Sequence, residues 1–276
     1  MRRLLLWFAG HAWLASHVPR WGFARRGVKR FMPGEEFSSG LPAAAVAHYE
    51  EVIAASAGIR SEISVKPTQL GLDIDPAAAY SNLERLADTA ARSASFVWLD
   101  MEGSAYTDAT LDLYVRLRAG HRNTGICLQA YLHRTAADVA RLLPLEPAIR
   151  LVKGAYAEPR EIAFGSRHDV DANYLALCAF VMTEVKRKRL RLVLGTHDVR
   201  LIEQVWRFGE ALDMQRSQIE INMLYGIRTD EQVKLARAGF AMKVLIAYGD
   251  AWYAWYLRRL AERPANVLFA LRQILP

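Results

Sequence analysis

From Glu62 onward the chain alternates short runs rich in β-branched and aliphatic residues with longer helical stretches, the pattern of a parallel sheet built from βα units. The runs predict strands at Ile63–Val65, Phe96–Leu99, Ile126–Gln129, Ile149–Val152, Leu192–Leu194, Ile219–Asn222 and Val244–Ile246. Seven units are visible, and their spacing of roughly 20 to 40 residues fits an α/β barrel with an outer ring of helices. Ahead of them, Ala43–Ser56 reads as a helix. An open, doubly wound sheet is the alternative. It is disfavoured because no GxGxxG opens any helix, so the dinucleotide fingerprint of that fold is missing.

Polar residues collect where the apolar runs end: Lys66, Asp100 with Glu102, Gln129, Lys153, Thr196 with His197 and Asp198, Asn222, and Tyr248. One polar residue after a strand is ordinary loop chemistry. Such residues at all seven ends suggest a site, because barrel enzymes build theirs at the carboxyl ends of the strands.

A length of 276 residues suits one large α/β domain, and 52% apolar with 24% charged residues excludes a disordered chain. The net charge of +7 changes the picture only at the N-terminus. Arg2, Arg3, Arg20, Arg25, Arg26, Lys29 and Arg30 stand there with no acid among residues 1–34, and the rest of the chain balances at 29 basic against 29 acidic residues. The basicity therefore belongs to an arm and gives no signal of nucleic-acid binding by the body. The expected organisation is a basic arm over 1–34 and a barrel domain over 35–276. Interleaved with Leu4–Phe8 and Trp13–Leu14, the arm could lie on an anionic membrane surface or pack as a solvated helix beside the barrel. His11 interrupts its apolar run and no small-x-small site follows, which argues against a secretory signal. No run reaches the roughly 18 apolar residues of a membrane span. Two cysteines, Cys127 and Cys178, read as small core residues in a reducing compartment and exclude a disulfide framework.

The common hydrolytic, phosphate-binding and metal signatures are missing, and the seven histidines are scattered, so no metal is expected. Lys66 and Lys153 at strand ends would permit a Schiff-base lyase. In the last helical segment, 251–269, the adjacent Arg258 and Arg259 can converge on one carboxylate, with Glu262 spaced to hold either arginine. An ordinary solvated helix with ion pairs is the other reading.

The segments ISVKPTQLGLD (63–73), WLDMEGSAY (98–106), CLQAYLHRT (127–135), IRLVKGAYAEP (149–159), GTHD (195–198), EINMLYGIR (220–228) and YGDAWYAWYLRRLAE (248–262) resemble the proline dehydrogenase family, in order and with suitable spacing. RFMPGE (30–35) is similar to an N-terminal motif of some members. The resemblance implies a distorted (β/α)8 TIM-type barrel whose last helix sits over the mouth. It also implies FAD-dependent oxidation of L-proline to 1-pyrroline-5-carboxylate, with a membrane quinone as electron acceptor. By the same resemblance, Arg258 and Arg259 would bind the proline carboxylate, and Lys66, Asp100 and Tyr248 would line the substrate side. Gln129 and Arg150 would hydrogen-bond the isoalloxazine, with Arg150 near the hydride-accepting nitrogen, making Asp100 and Arg150 the catalytic candidates. Met101, Val152, Lys153 and Gly154 would complete the flavin cradle, while Thr196 and His197 would reach the rest of FAD. Guanidinium and amide donors suit a flavin, which becomes more electron-rich on reduction. A cytoplasmic location follows, with the arm touching the inner membrane face. A catalytically silent flavin or imino-acid binding barrel remains an alternative beside the lyase.

Some residues depart from the family pattern. Asp198 stands where many members have Asn, Ala157 where an aromatic residue is common, and Gly195 and Ala247 are unusual for their positions. Only residues 36–60 separate RFMPGE from the Lys66 strand, too few for a complete βα unit. Either Val28–Met32 serves as the first strand with Glu35 replacing a turn glutamate, or the barrel lacks its first unit and leaves two strand edges to be covered.

Overall fold

A computed structural model describes residues 42–59, 61–187 and 190–246. Within them, α1 (Pro42–Ala55) leads into β1 (Glu62–Val65), α2 (Pro76–Arg92), β2 (Phe96–Leu99), α3 (Thr107–Gly120), β3 (Thr124–Gln129) and α4 (Thr135–Leu142). The series continues through β4 (Ala148–Val152), α5 (Arg167–Arg187), β5 (Arg191–Gly195), α6 (Val199–Ala211), β6 (Glu220–Leu224), α7 (Thr229–Arg237) and β7 (Ala241–Leu245). All seven expected strands and the expected upstream helix are present. Val28–Met32, the N-terminal arm and the last helical segment lie outside the described residues.

Local sequence explains several boundaries. Asp75 caps α2 by accepting from the backbone N–H groups of Ala77 and Ala78, and Pro76 supplies a preset first-turn φ. The inward-facing Gly125 extends β3 upstream of its apolar run, because a Cβ there would lie 2.5 Å from the Trp98 ring on the neighbouring strand.

The strands are parallel and pair in sequence order from β1 to β7, without the order reversal of a doubly wound sheet. Curling is visible in the contacts. Glu62 on β1 meets Arg191 on β5 at 2.5 Å and also Lys243 on β7, so side chains of the first and last described strands touch across the interior. Alternation divides each strand between two layers. Outward residues such as Val97, Ile126, Ile149, Leu151, Leu194 and Ile221 are sealed against the helices in the main core. Inward residues Trp98, Ala148 and Val193 form a small second cluster with Phe96 packed against it.

Charge fills the lower barrel interior. Arg191 bridges Glu62 and Glu220, Lys243 contacts both acids, and Trp98 Nε1 donates to Glu62 at 2.7 Å. Burial opposes ionisation of Glu62, but hydrogen bonds from Lys243 and Trp98 and the charge of Arg191 outweigh it and hold its carboxyl below the usual range.

Candidate active site

Strand register sets the floor of the mouth. Gln129, Val152 and Gly195, the last residues of β3 to β5, and Asn222 and Lys243, midway along β6 and β7, are successive register partners and form one inward row. Gly195 is accounted for by this row: a Cβ there would lie 2.7 Å from Val152 Cγ1. Two amides flank this low centre. Gln129 is 3% exposed and its Nε2 donates to the Met101 carbonyl at 3.3 Å, yet its buried Oε1 has no partner among the described residues. Buried Asn222 Oδ1 is likewise unpartnered among them. An unsatisfied buried acceptor costs about 1–3 kcal/mol, so both oxygens suit a ligand that brings N–H or O–H donors.

Below the row, Arg150 on β4 reaches inward, 5% exposed. Its Nη2 donates to Asp100 Oδ1 at 2.6 Å and to Ser64 Oγ at 2.8 Å, while Nε donates to Cys127 Sγ at 2.8 Å. The Trp98 ring centre lies 4.9 Å from the guanidinium carbon. The two catalytic candidates are thus brought into direct contact. Cys127 and Cys178 are both buried members of the main core, as expected, and Cys127 in addition takes part in this polar cluster. Burial pushes the Cys127 thiol up to about 12, with the Arg150 charge only partly offsetting it.

Lys153, at the end of β4, lies 2.5 Å from Asp171 and 3.1 Å from Asp198. Arg167 and Arg200 also face Asp198, at 2.9 and 3.6 Å. Asp198 occupies the N-cap position of α6 but makes no side-chain cap, its carboxylate being spent on these cations. Burial opposes its charge, but hydrogen bonds from Lys153 and Arg167 prevail and pull it from 3.8 to about 2. A lysine engaged by two carboxylates is committed as an ion-pair partner, which weighs against Lys153 as a Schiff-base nucleophile. Lys66 follows β1, half-buried, and its side chain makes no hydrogen bond or ion pair among the described residues.

The remaining cradle candidates also lie at the mouth. Gly154 has φ +107°, and a Cβ there would stand 2.0 Å from the Tyr131 ring, so only glycine fits. Thr196 is buried and its Oγ1 accepts from the Asp198 N–H at 3.1 Å, while His197 Nε2 accepts from the Leu224 N–H at 3.3 Å. Two acids fix the loops: Glu102 accepts from the Thr68 N–H and hydroxyl, and Glu158 from the Ser104 N–H and hydroxyl. Tyr248, Arg258 and Arg259 lie outside the described residues. Ser64, Trp98, Cys127 and Asp171 join the site without having been singled out for it by the sequence. Strand parity places the first three beside Arg150, whereas Asp171, on α5, carried no signal. Among the described residues no cluster of His, Cys, Asp or Glu could hold a metal, and no helix is long and apolar enough to cross a membrane.

The donor and acceptor set fits a flat heteroaromatic cofactor. A low Val152–Gly195 floor lies between two amide oxygens that are unsatisfied among the described residues, with the Arg150 guanidinium on the adjacent inward level. Comparison with known proteins agrees with the residues. The proline dehydrogenase family profile matches residues 38–272. Proline dehydrogenase 2 of Bacillus subtilis strain 168 is 37% identical over 218 residues, covering 78% of this chain and 69% of the relative. Proline dehydrogenase of Deinococcus radiodurans is 38% identical over 225 residues, covering 80% and 71%. Among solved structures, proline utilization A from Bdellovibrio bacteriovorus, inactivated by N-propargylglycine, superposes with a TM-score of 0.72 at 22% identity over 80% of this chain. Proline utilization A with proline bound in remote sites gives 0.71 at 21% identity over 81%. The match covers only 28% and 26% of those longer chains, and at such identity the likeness speaks for the barrel fold alone.

Proposed function

The chain belongs to the proline dehydrogenase family, and on that premise we propose that it oxidises L-proline to 1-pyrroline-5-carboxylate with FAD. The observation that carries this reading is the row Gln129–Val152–Gly195–Asn222, with two amide oxygens that have no partner among the described residues, set beside the Arg150–Asp100 pair. Bound FAD would supply the hydride acceptor for the ring carbon next to nitrogen.

Each residue then has a physical task. Gln129 Oε1 would accept an N–H at the edge of the isoalloxazine, and Met101 holds the Gln129 amide through its carbonyl. Gly154 and Val152 leave room for the ring, and Arg150 offers a fixed positive charge beside it. Lys153, Thr196 and His197 would serve the remainder of the cofactor. Asp100 keeps Oδ2 uncommitted among the described residues and can accept the N–H of the substrate amine. By the sequence motifs, Lys66 and Tyr248 would line the substrate and Arg258 with Arg259 would anchor its carboxylate. The arm over 1–34 would bring the barrel domain of 35–276 to the inner membrane face, where a quinone could take the electrons.

The test has two readouts. Denaturing the purified protein should release FAD, and the native protein should convert L-proline to a pyrroline that an amine-trapping reagent detects when an artificial electron acceptor is present. Release of no flavin, together with failure of added FAD to bind, would overturn the proposal. So would bound FAD without any proline turnover.

A further inference from the structure

Arg150 is held by side chains from three strands, and the thiol among them does something a packing residue would not. Cys127 Sγ accepts from Arg150 Nε at 2.8 Å and lies 3.4 Å from Asp100 Oδ1, to which it donates. A sulfur in both roles must keep its proton. Full burial favours that neutral form. The thiol therefore bridges the two members of the pair, while Ser64 and Asp100 take Nη2 and the Trp98 ring lies near the guanidinium. Nη1 is the nitrogen left without a hydrogen bond among the described residues.

Strand parity makes the placement specific. Cys127 lies between Gly125 and Gln129 on the inward side of β3, with Arg150 directly beside it in register. Fixing Nε and Nη2 of a planar guanidinium fixes its plane, and the direction of Nη1 follows. Without the contact to Nε, the group could turn about its terminal side-chain bonds while keeping the Asp100 pair.

We propose that Cys127 is a positioning residue: its thiol sets the plane of the Arg150 guanidinium and ties it to Asp100, so that Nη1 is the donor presented to the reacting groups. The proposal rests on the reading of Arg150 and Asp100 as the reacting-centre pair. Serine keeps both hydrogen-bonding roles in a smaller side chain. Valine fills a similar volume and keeps neither.

The experiment compares the full-length parent with Cys127→Val and Cys127→Ser in two measurements. In 15N–1H NMR spectra the Arg150 Nε–H should exchange slowly in the parent and in Cys127→Ser, and become fast-exchanging or shift in Cys127→Val. In steady-state assays Cys127→Val should lower kcat by about tenfold or more with KM within about threefold, and Cys127→Ser should recover most of the loss. If Cys127→Val does not fold, Cys127→Ala is read in the same way. A parent-like Nε–H signal and parent-like kcat in the apolar variant would overturn the proposal. Because the NMR signal does not depend on turnover, it still judges the positioning role if the parent fails to oxidise proline, which keeps the two failures apart.

Discussion

Removing the carboxylate of Asp100 should cost both stability and turnover, through different parts of the same contact. Its pair with Arg150 spans 2.6 Å, with the arginine side chain 7% exposed and the aspartate 32%. At an effective dielectric near 20, unit charges about 4 Å apart attract by about 4 kcal/mol before desolvation is counted. Removing one partner of a buried pair costs about 3–5 kcal/mol, because the other charge is left uncompensated. Asp100 is partly solvated and Arg150 keeps two neutral acceptors, Ser64 and Cys127, so Asp100→Ala should fall at the low end, about 3 kcal/mol. The assay is guanidinium chloride unfolding of the parent, Asp100→Ala, Arg150→Met and the double variant. The pair should show a coupling energy of about 2 kcal/mol, within the range of contacting residues. Turnover by Asp100→Ala should drop at least about tenfold, or 1.4 kcal/mol of barrier. Coupling below about 0.5 kcal/mol, the level of independent sites, would refute the reasoning.

Three further outcomes follow from the geometry. Gln129→Leu should weaken FAD binding about tenfold while changing apoprotein stability by no more than about 1 kcal/mol, since loss of the Nε2 bond to the Met101 carbonyl is offset by removal of a buried oxygen that has no partner among the described residues; an unchanged dissociation constant in a flavin-fluorescence titration would contradict this. Gly154→Ala should destabilise by about 1–3 kcal/mol in chemical unfolding, from its φ of +107° and the Tyr131 ring in the way, and parent-like unfolding would count against that geometry. Asp198 and Glu62 are both depressed below their ordinary values, so the stability they contribute is complete above about pH 5 and lost as pH falls through their folded values, toward about 2 for Asp198. Asp198→Asn should accordingly flatten the acid limb of a circular-dichroism pH titration, and an identical limb would dismiss its ion pairs as a source of stability.

The sequence carried the outward half of each strand better than the inward half. Strands buried on both faces usually read as continuous apolar runs, but here Glu62, Arg191, Glu220 and Lys243 point inward and pair with one another. Their charges interrupt the runs, which explains why β7 was expected at Val244–Ile246 and is found at Ala241–Leu245. Gly125, a turn signal by composition, lies within β3 because Trp98 occupies the space of its side chain. At the site, the polar residues closing each strand were legible because a barrel gathers strand ends. The supports of Arg150 were not, since Ser64, Trp98 and Cys127 become neighbours only once the strand register is known. Asp100 illustrates the same limit: the sequence places it at a strand end, and only the folded strand order brings it to Arg150, its ion-pair partner among the described residues.

The most direct test of the account is an absorbance spectrum of the purified full-length protein, recorded without oxygen before and after addition of L-proline. The account predicts an oxidised-flavin spectrum that bleaches on adding proline and returns when an electron acceptor is supplied. A flavin spectrum that proline leaves unchanged would contradict it, as would a protein that shows no flavin even after incubation with FAD.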